Sequence, residues 1–103
     1  MTVKEVTREN FEAEVLNSET PVLADFNADW CGPCRAMRPL LEELAGSDPG
    51  CKIVSIDVDA ESGLAEEYGV TSIPCLVLFK NGAEADRSVG LIGKDAIAEL
   101  VKA

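Results

Sequence analysis

Apolar and polar positions along this chain change period several times, and each change marks an element boundary. Val3 to Val6 predicts a short first strand. Thr7 is placed as the N-cap of a helix over Arg8 to Asn17, with Phe11, Val15 and Leu16 on one face, and Thr20-Pro21 ends it. Val22-Leu23-Ala24-Asp25-Phe26-Asn27-Ala28 is almost wholly apolar, which suits a strand buried on both faces of a parallel sheet. From Arg35 to Ala45, Met37, Leu40, Leu41 and Leu44 recur at helical spacing, and Pro39 inside that run predicts a kink. Asp48-Pro49-Gly50 reads as a turn, and Lys52 to Val58 as the next strand. A short helix from Glu61 to Tyr68 is ended by Gly69. Cys75 to Lys80 is a strand, and Asn81-Gly82 is a hairpin signal that sets Glu84 to Val89 antiparallel to it. Gly90 and Gly93 bracket a loop, and Lys94 to Lys102 closes the chain as a helix with Ile97, Leu100 and Val101 inward. The order β-α-β-α-β-α-β-β-α predicts an α/β fold, a mixed sheet with helices on both faces. No repeat, low-complexity tract or linker interrupts it, so residues 1–103 are expected to form one domain.

Composition is compatible with that reading. Hydrophobic residues make up 47% of the 103, enough for a core without covalent staples. Nine basic against 19 acidic residues leave a formal net charge of −10. Such a surface argues against nucleic acid and anionic membrane as partners, since both need basic groups. The acidity serves solubility or, alternatively, steers the protein toward partners with basic docking surfaces. Met1 to Asn10 is polar, and no run approaches the roughly 18 apolar residues of a membrane span, so a cytoplasmic protein is expected. Thiols there are normally reduced, and a CxxC pair is then catalytic or metal-binding rather than a staple.

Trp30-Cys31-Gly32-Pro33-Cys34 stands where the apolar strand ends and the next helix begins. Cys31 thereby sits at a helix mouth, where unpaired N–H groups and the positive dipole end favour a thiolate. Pro33 suits a first turn, which needs no N–H from it. Cys34 follows about one turn on, so the two sulfurs can meet. The pair is expected to alternate between dithiol and disulfide and to act on other disulfides. Zinc is the rival reading. Cys51 and Cys75 do not make a second CxxC, and the chain has no histidine, whereas structural zinc takes four ligands in paired spacings. No metal is expected.

The element order, with this motif at the end of the second strand, closely resembles the thioredoxin family. Asp25-Phe26, Tyr68-Gly69-Val70, Ile73-Pro74, Phe79-Lys80-Asn81-Gly82 and Gly90 extend the resemblance over essentially the whole chain. A bare CxxC is weak; CGPC with an Asp six residues upstream and an Ile-Pro about forty downstream is specific. The resemblance implies the thioredoxin fold, a five-stranded mixed β-sheet flanked by four α-helices in three layers, with a cis peptide before Pro74 beside the cysteines. It implies a monomeric protein-disulfide reductase that draws electrons from thioredoxin reductase and passes them to disulfide-bearing client proteins. No bound cofactor is needed, because the cysteines are themselves the redox group. Substrate contacts are implied at Trp30, Gly32, Pro33, Ile73, Pro74, Gly90 and Leu91, with the Ile73 backbone facing an extended client segment much as a sheet edge does. Trp30 makes a natural lid over the thiols.

Within that frame Cys31, at the exposed end of the motif, is expected to attack, and Cys34, one turn deeper, to resolve the mixed disulfide. Asp25 is charged among apolar neighbours. If buried, its carboxyl holds a proton more tightly and can take one from Cys34 as a general base; the alternative is an Asp at a solvated strand edge. Three positions depart from the family pattern. Asn27 replaces a usual aromatic and makes the floor of the site more polar. Cys75 replaces a usual Thr, either as an inert buried residue or as a third thiol able to form an alternative disulfide. Ser55 stands where a lysine often accompanies the buried Asp. Gly-Pro between the cysteines favours a general reductase, whereas Asn27 and Cys75 keep a second reading open, a thioredoxin-like module dedicated to one enzyme or complex. A disulfide-forming oxidant of the secretory space is disfavoured by Gly-Pro between the cysteines.

Overall fold

The computed structural model describes residues 3–47 and 49–103. Five strands and four helices follow in the predicted order: β1 (Lys4–Glu5), α1 (from Arg8), β2 (Val22–Asn27), α2 (Gly32–Gly46), β3 (Lys52–Asp57), α3 (Ser62–Glu67), β4 (Cys75–Lys80), β5 (Ala83–Val89) and α4 (Lys94–Leu100). The sheet order is β1-β3-β2-β4-β5. β2 runs parallel to β3 and antiparallel to β4, and β5 is antiparallel to β4, so the sheet is mixed with β2 at its centre.

Side chains alternate across a strand, and β2 shows the consequence. Val22, Ala24 and Phe26 join Phe11 and Val15 of the first helical segment and Leu64 and Ala65 of α3 in one core. Leu23 points the other way, into a second core with Met37, Leu41 and Ala45 of α2 and Ile97 and Leu100 of α4. Every residue of β2 is buried, as a central strand covered on both faces requires. Asp25 and Asn27 share the parity of Leu23 and therefore face α2.

Several boundaries differ from the sequence expectation. β1 is two residues rather than four, paired with β3 only at Lys4 and Glu5, although Val6 still donates to Ser55 O at 2.8 Å. Thr7 does start α1, its N–H donating to Asn10 Oδ1 at 2.7 Å. The expected single α-helix is α-helical only to Phe11 and continues as a π-helical segment over Glu12–Leu16, with Asn17 N–H bonded to Glu12 O. The wider turn brings Leu16, five residues on, against the same core as Phe11. α2 begins at Gly32 rather than Arg35, so the CxxC lies in its first turn, and it runs unbroken across Pro39 to Gly46. Of the expected turn Asp48-Pro49-Gly50, Asp48 lies outside the described residues, and Gly50 has φ +79°.

The β4–β5 hairpin turns through Asn81 (φ 54°) and Gly82 (φ 80°), the paired positive φ of a tight two-residue turn. A Cβ built on Gly82 would stand 3.0 Å from the Leu16 carbonyl oxygen. Gly82→Ala is therefore expected to cost about 2 kcal/mol, from left-handed backbone strain plus backbone displacement. Urea unfolding with an unchanged m-value and a lowered midpoint is the expected result; an unchanged midpoint would contradict the packing of this turn on the π-helical segment.

Candidate functional site

The CxxC occupies the junction of β2 and α2. Cys31 is the N-cap of α2, with extended backbone (φ −84°, ψ 113°), and its Sγ accepts a hydrogen bond from the Cys34 N–H at 3.2 Å. Pro33 falls in the first turn, where it removes no helix bond. Cys31 and Cys34 are joined as a disulfide with their Cα atoms 5.2 Å apart. The sequence expectation put Cys31 at an exposed end. Its surface is in fact 5% exposed, against 1% for Cys34, because Val58 and Ile73 pack against the cluster of Ala28 and the two cysteines. The outward-facing parts of the motif are Gly32 and Pro33.

The other expected contact residues surround this disulfide unequally. The Ile73-Pro74 peptide is cis, and Gly90 N–H donates to Pro74 O at 2.8 Å, so the loop after β5 is tied to the segment before β4. Among the described residues no backbone–backbone hydrogen bond engages Ile73. Leu91 and Val89 are about half exposed beside Gly90. Among the described residues Trp30 is the most exposed large apolar side chain, at 68%, and its Nε1–H donates to Asp59 Oδ2 at 2.7 Å. That bond holds the ring from the loop after β3 rather than folding it down as a lid. Val58, Asp59 and Val89 were not singled out from the sequence. They reach the site through the strand ends, and nothing local in the chain announces that.

Asp25 is 3% exposed in the central strand, which excludes the solvated-edge alternative. Burial pushes its carboxyl up to about 7; the Arg38 charge and a hydrogen bond from Asn27 oppose that rise. Oδ2 accepts from Asn27 Nδ2 at 3.3 Å, whereas Oδ1 is buried without a partner. A buried carboxyl with a proton affinity near neutrality can both take and return a proton at physiological pH. Asn27 is itself buried, and Nδ2 also donates to Ser55 Oγ at 2.7 Å and to Asp25 O at 2.8 Å. Two of the three departures from the family pattern, Asn27 and Ser55, are thus partners.

Cys75 is the third departure. It is a free, buried thiol whose side chain joins the core on the α1–α3 face. Burial pushes its proton affinity up, the Arg87 charge pulls it down, and the Glu84 and Asp25 charges add to the rise. Cys51 is also free and buried, and burial raises it likewise. Both environments suit inert thiols. Among the described residues, no group of three or more His, Cys, Asp or Glu side chains could hold a metal ion. No helix among them is long and apolar enough to cross a membrane.

A family model described as Thioredoxin matches residues 2–103. A thioredoxin of Chlamydia muridarum is 46% identical over 99 residues, covering 96% of this chain and 95% of its own. A thioredoxin of Pyropia yezoensis is 42% identical over 102 residues, covering 98% and 95%. Among solved structures, a mutant thioredoxin from Halobacterium salinarum superposes with a TM-score of 0.90 at 37% identity, over 98% of this chain and 88% of that one.

Proposed function

The chain belongs to the thioredoxin family and is a thiol–disulfide oxidoreductase, and from that premise we propose that it is a general reductase of protein disulfides in which Cys31 attacks, Cys34 resolves and Asp25 carries the proton. The observation that supports this most is the position of Cys31 as N-cap of α2, its sulfur already accepting the Cys34 N–H. That N–H and the helix dipole stabilise negative charge on Cys31 once the disulfide is reduced.

In the reducing direction the Cys31 thiolate attacks one sulfur of a client disulfide. The client S–S bond breaks, one client thiolate leaves and takes a proton from water, and a Cys31–client disulfide remains. The Cys34 thiol gives its proton to the Asp25 carboxylate and attacks the Cys31 sulfur. The Cys31–client bond breaks, the second client thiolate leaves and takes the proton held by Asp25, and Cys31–Cys34 is the oxidised product. Two electrons have passed to the client, which ends with two thiols, and two electrons from a reductase with one proton restore the Cys31 thiolate and the Cys34 thiol.

Family membership implies a reductase and disulfide-bearing clients as partners in general. In this reading the donor is a thioredoxin reductase, the protein works as a monomer, and its compartment is the cytoplasm. Clients dock across Trp30, Gly32, Pro33, Ile73, Pro74, Gly90 and Leu91. The exposed apolar surface of Trp30 and Leu91 and the unengaged Ile73 backbone support that surface.

Cys34→Ser tests the division of labour. Incubated reduced with a small disulfide-bonded protein, the variant is expected to accumulate a one-to-one mixed disulfide. Peptide mass mapping is expected to find the bond on Cys31. An adduct on Cys51 or Cys75, or none, would refute the assignment. A module dedicated to a single enzyme would leave this generic substrate unreacted.

A further inference from the structure

Asp25 and Asn27 lie on the α2 face of the sheet, and α2 returns a third polar residue to them. Arg38 follows Cys34 by four positions, so the two share one face of the helix. Arg38 Nη2–H donates to Asn27 Oδ1 at 3.4 Å, and the same nitrogen lies 3.7 Å from Asp29 Oδ1. On its other side the Asn27 amide donates to Asp25 Oδ2 and Ser55 Oγ. This orientation is the one that satisfies every neighbour. Turned over, the amide would set its NH2 against a guanidinium and its oxygen against a carboxylate. The chain guanidinium–amide–carboxylate leaves only Oδ1 of Asp25 without a partner.

We propose that Arg38 is a positioning residue for the resolving step, acting on Asp25 through Asn27. It fixes the amide so that Oδ2 is held and Oδ1 stays open to receive the Cys34 proton, and it supplies the positive charge that keeps the carboxylate form accessible. The inference rests on the proton-carrying role of Asp25 proposed above.

The surroundings show why that charge matters. Asp25 borders a cavity of about 290 Å³ between the sheet and α2. Four other carboxylates line it: Glu5 from β1, Asp29 after β2, Asp57 from β3 and Glu42 from α2. β4 sets the apolar Leu76 opposite Asp25. Among the described residues lining the cavity, Arg38 is the one cation. Removing it leaves desolvation and neighbouring negative charge acting in the same direction, toward a protonated Asp25 that cannot accept from Cys34. Ser55 brings no charge from β3, so here the compensating cation comes from the helix.

The test uses the reduced full-length protein and an aromatic disulfide whose two thiolates are each seen spectroscopically as they leave. The first phase reports attack by Cys31, and the second reports resolution by Cys34. Arg38→Met keeps the aliphatic stem, and Arg38→Lys keeps the charge. In Arg38→Met the second phase at pH 6.5 is expected to slow about threefold, the factor for a half-unit rise in the Asp25 midpoint, and to recover by pH 8.5. The first phase is expected to be unchanged. Arg38→Lys is expected to restore most of the wild-type profile. A carboxyl-carbon NMR titration of Asp25 in the oxidised proteins is expected to show the same order of midpoints. A wild-type pH profile and midpoint in Arg38→Met would overturn the inference, as would a Lys variant displaced as far as the Met variant. Asp25→Asn, run alongside, separates the two claims. If it leaves the second phase unchanged, the role of Asp25 fails; if it slows that phase while Arg38→Met does not, only the role of Arg38 fails.

Discussion

Cys31→Ser is expected to lower protein-disulfide reduction to the rate seen without the protein, at every pH. A serine oxygen cannot form the mixed disulfide, so the first bond of the cycle is never made. The remaining thiols cannot substitute. Cys34 is 1% exposed in the first turn of α2, and Cys51 and Cys75 are buried in the cores, with burial holding their thiols protonated. Hydroxyl for thiol is a small change at an N-cap, where serine is itself a favoured residue, so α2 is expected to keep its stability. Reduction of a small disulfide-bonded protein, followed by the appearance of its free thiols, gives the measurement, with a thermal melt to show that the variant is folded. Residual catalysis well above background in a folded variant would mean that another thiol can attack.

Asp25→Asn is expected to stabilise the oxidised protein strongly at alkaline pH while slowing the resolving step. The folded carboxyl titrates at about 7, raised from 3.8 chiefly by burial. A raised folded value means that native stability is complete below pH 3.8, falls as pH rises through the window to about 7, and is flat beyond it. Above pH 7 the ionised Asp25 costs the native state about 4 kcal/mol. The amide removes that cost and adds a smaller one for its own burial, so a gain of about 2–4 kcal/mol at pH 8 is expected. The gain should shrink toward zero near pH 4. Denaturant unfolding of oxidised wild type and variant across pH 4 to 9 measures it; parallel stability curves would contradict the buried, proton-holding carboxyl. In the two-phase aromatic disulfide assay the variant is expected to keep the first phase and lose rate in the second. A residue that costs stability and supports the chemistry fits a group retained for function.

Much of this arrangement is legible in the chain because its signals are local. The unbroken apolar run from Val22 gives away a central strand, Asn81-Gly82 gives away the hairpin, and a CxxC between strand and helix gives away the redox pair. Asp25 stands out because a charge amid apolar neighbours has to be explained. Other features are hidden for physical reasons. The π-helical segment over Glu12–Leu16 depends on fitting Leu16 to a core that the helix itself does not contain. The cis peptide before Pro74 was expected only through family resemblance, since cis is the minority form and tertiary context must hold it. The bond from Trp30 to Asp59 and the relay from Arg38 through Asn27 to Asp25 join residues on different elements. Asn27 and Ser55 are visible as departures, but their hydrogen bond runs diagonally between β2 and β3, where the register sets Ser55 opposite Asp25. Arg38, read alone, is one more polar residue on an amphipathic helix.

The claim at the centre of this account is that one dithiol, Cys31–Cys34, carries both electrons in each turnover. The stoichiometry of a single turnover tests it most directly. Reduced wild-type protein is mixed with less than one equivalent of a disulfide-bonded protein, quenched with acid, alkylated after unfolding in denaturant, and mapped by peptide mass. The account predicts one Cys31–Cys34 disulfide for each client disulfide lost, with Cys51 and Cys75 alkylated throughout. A disulfide that includes Cys75 or Cys51, or client reduction without oxidation of Cys31 and Cys34, would contradict it.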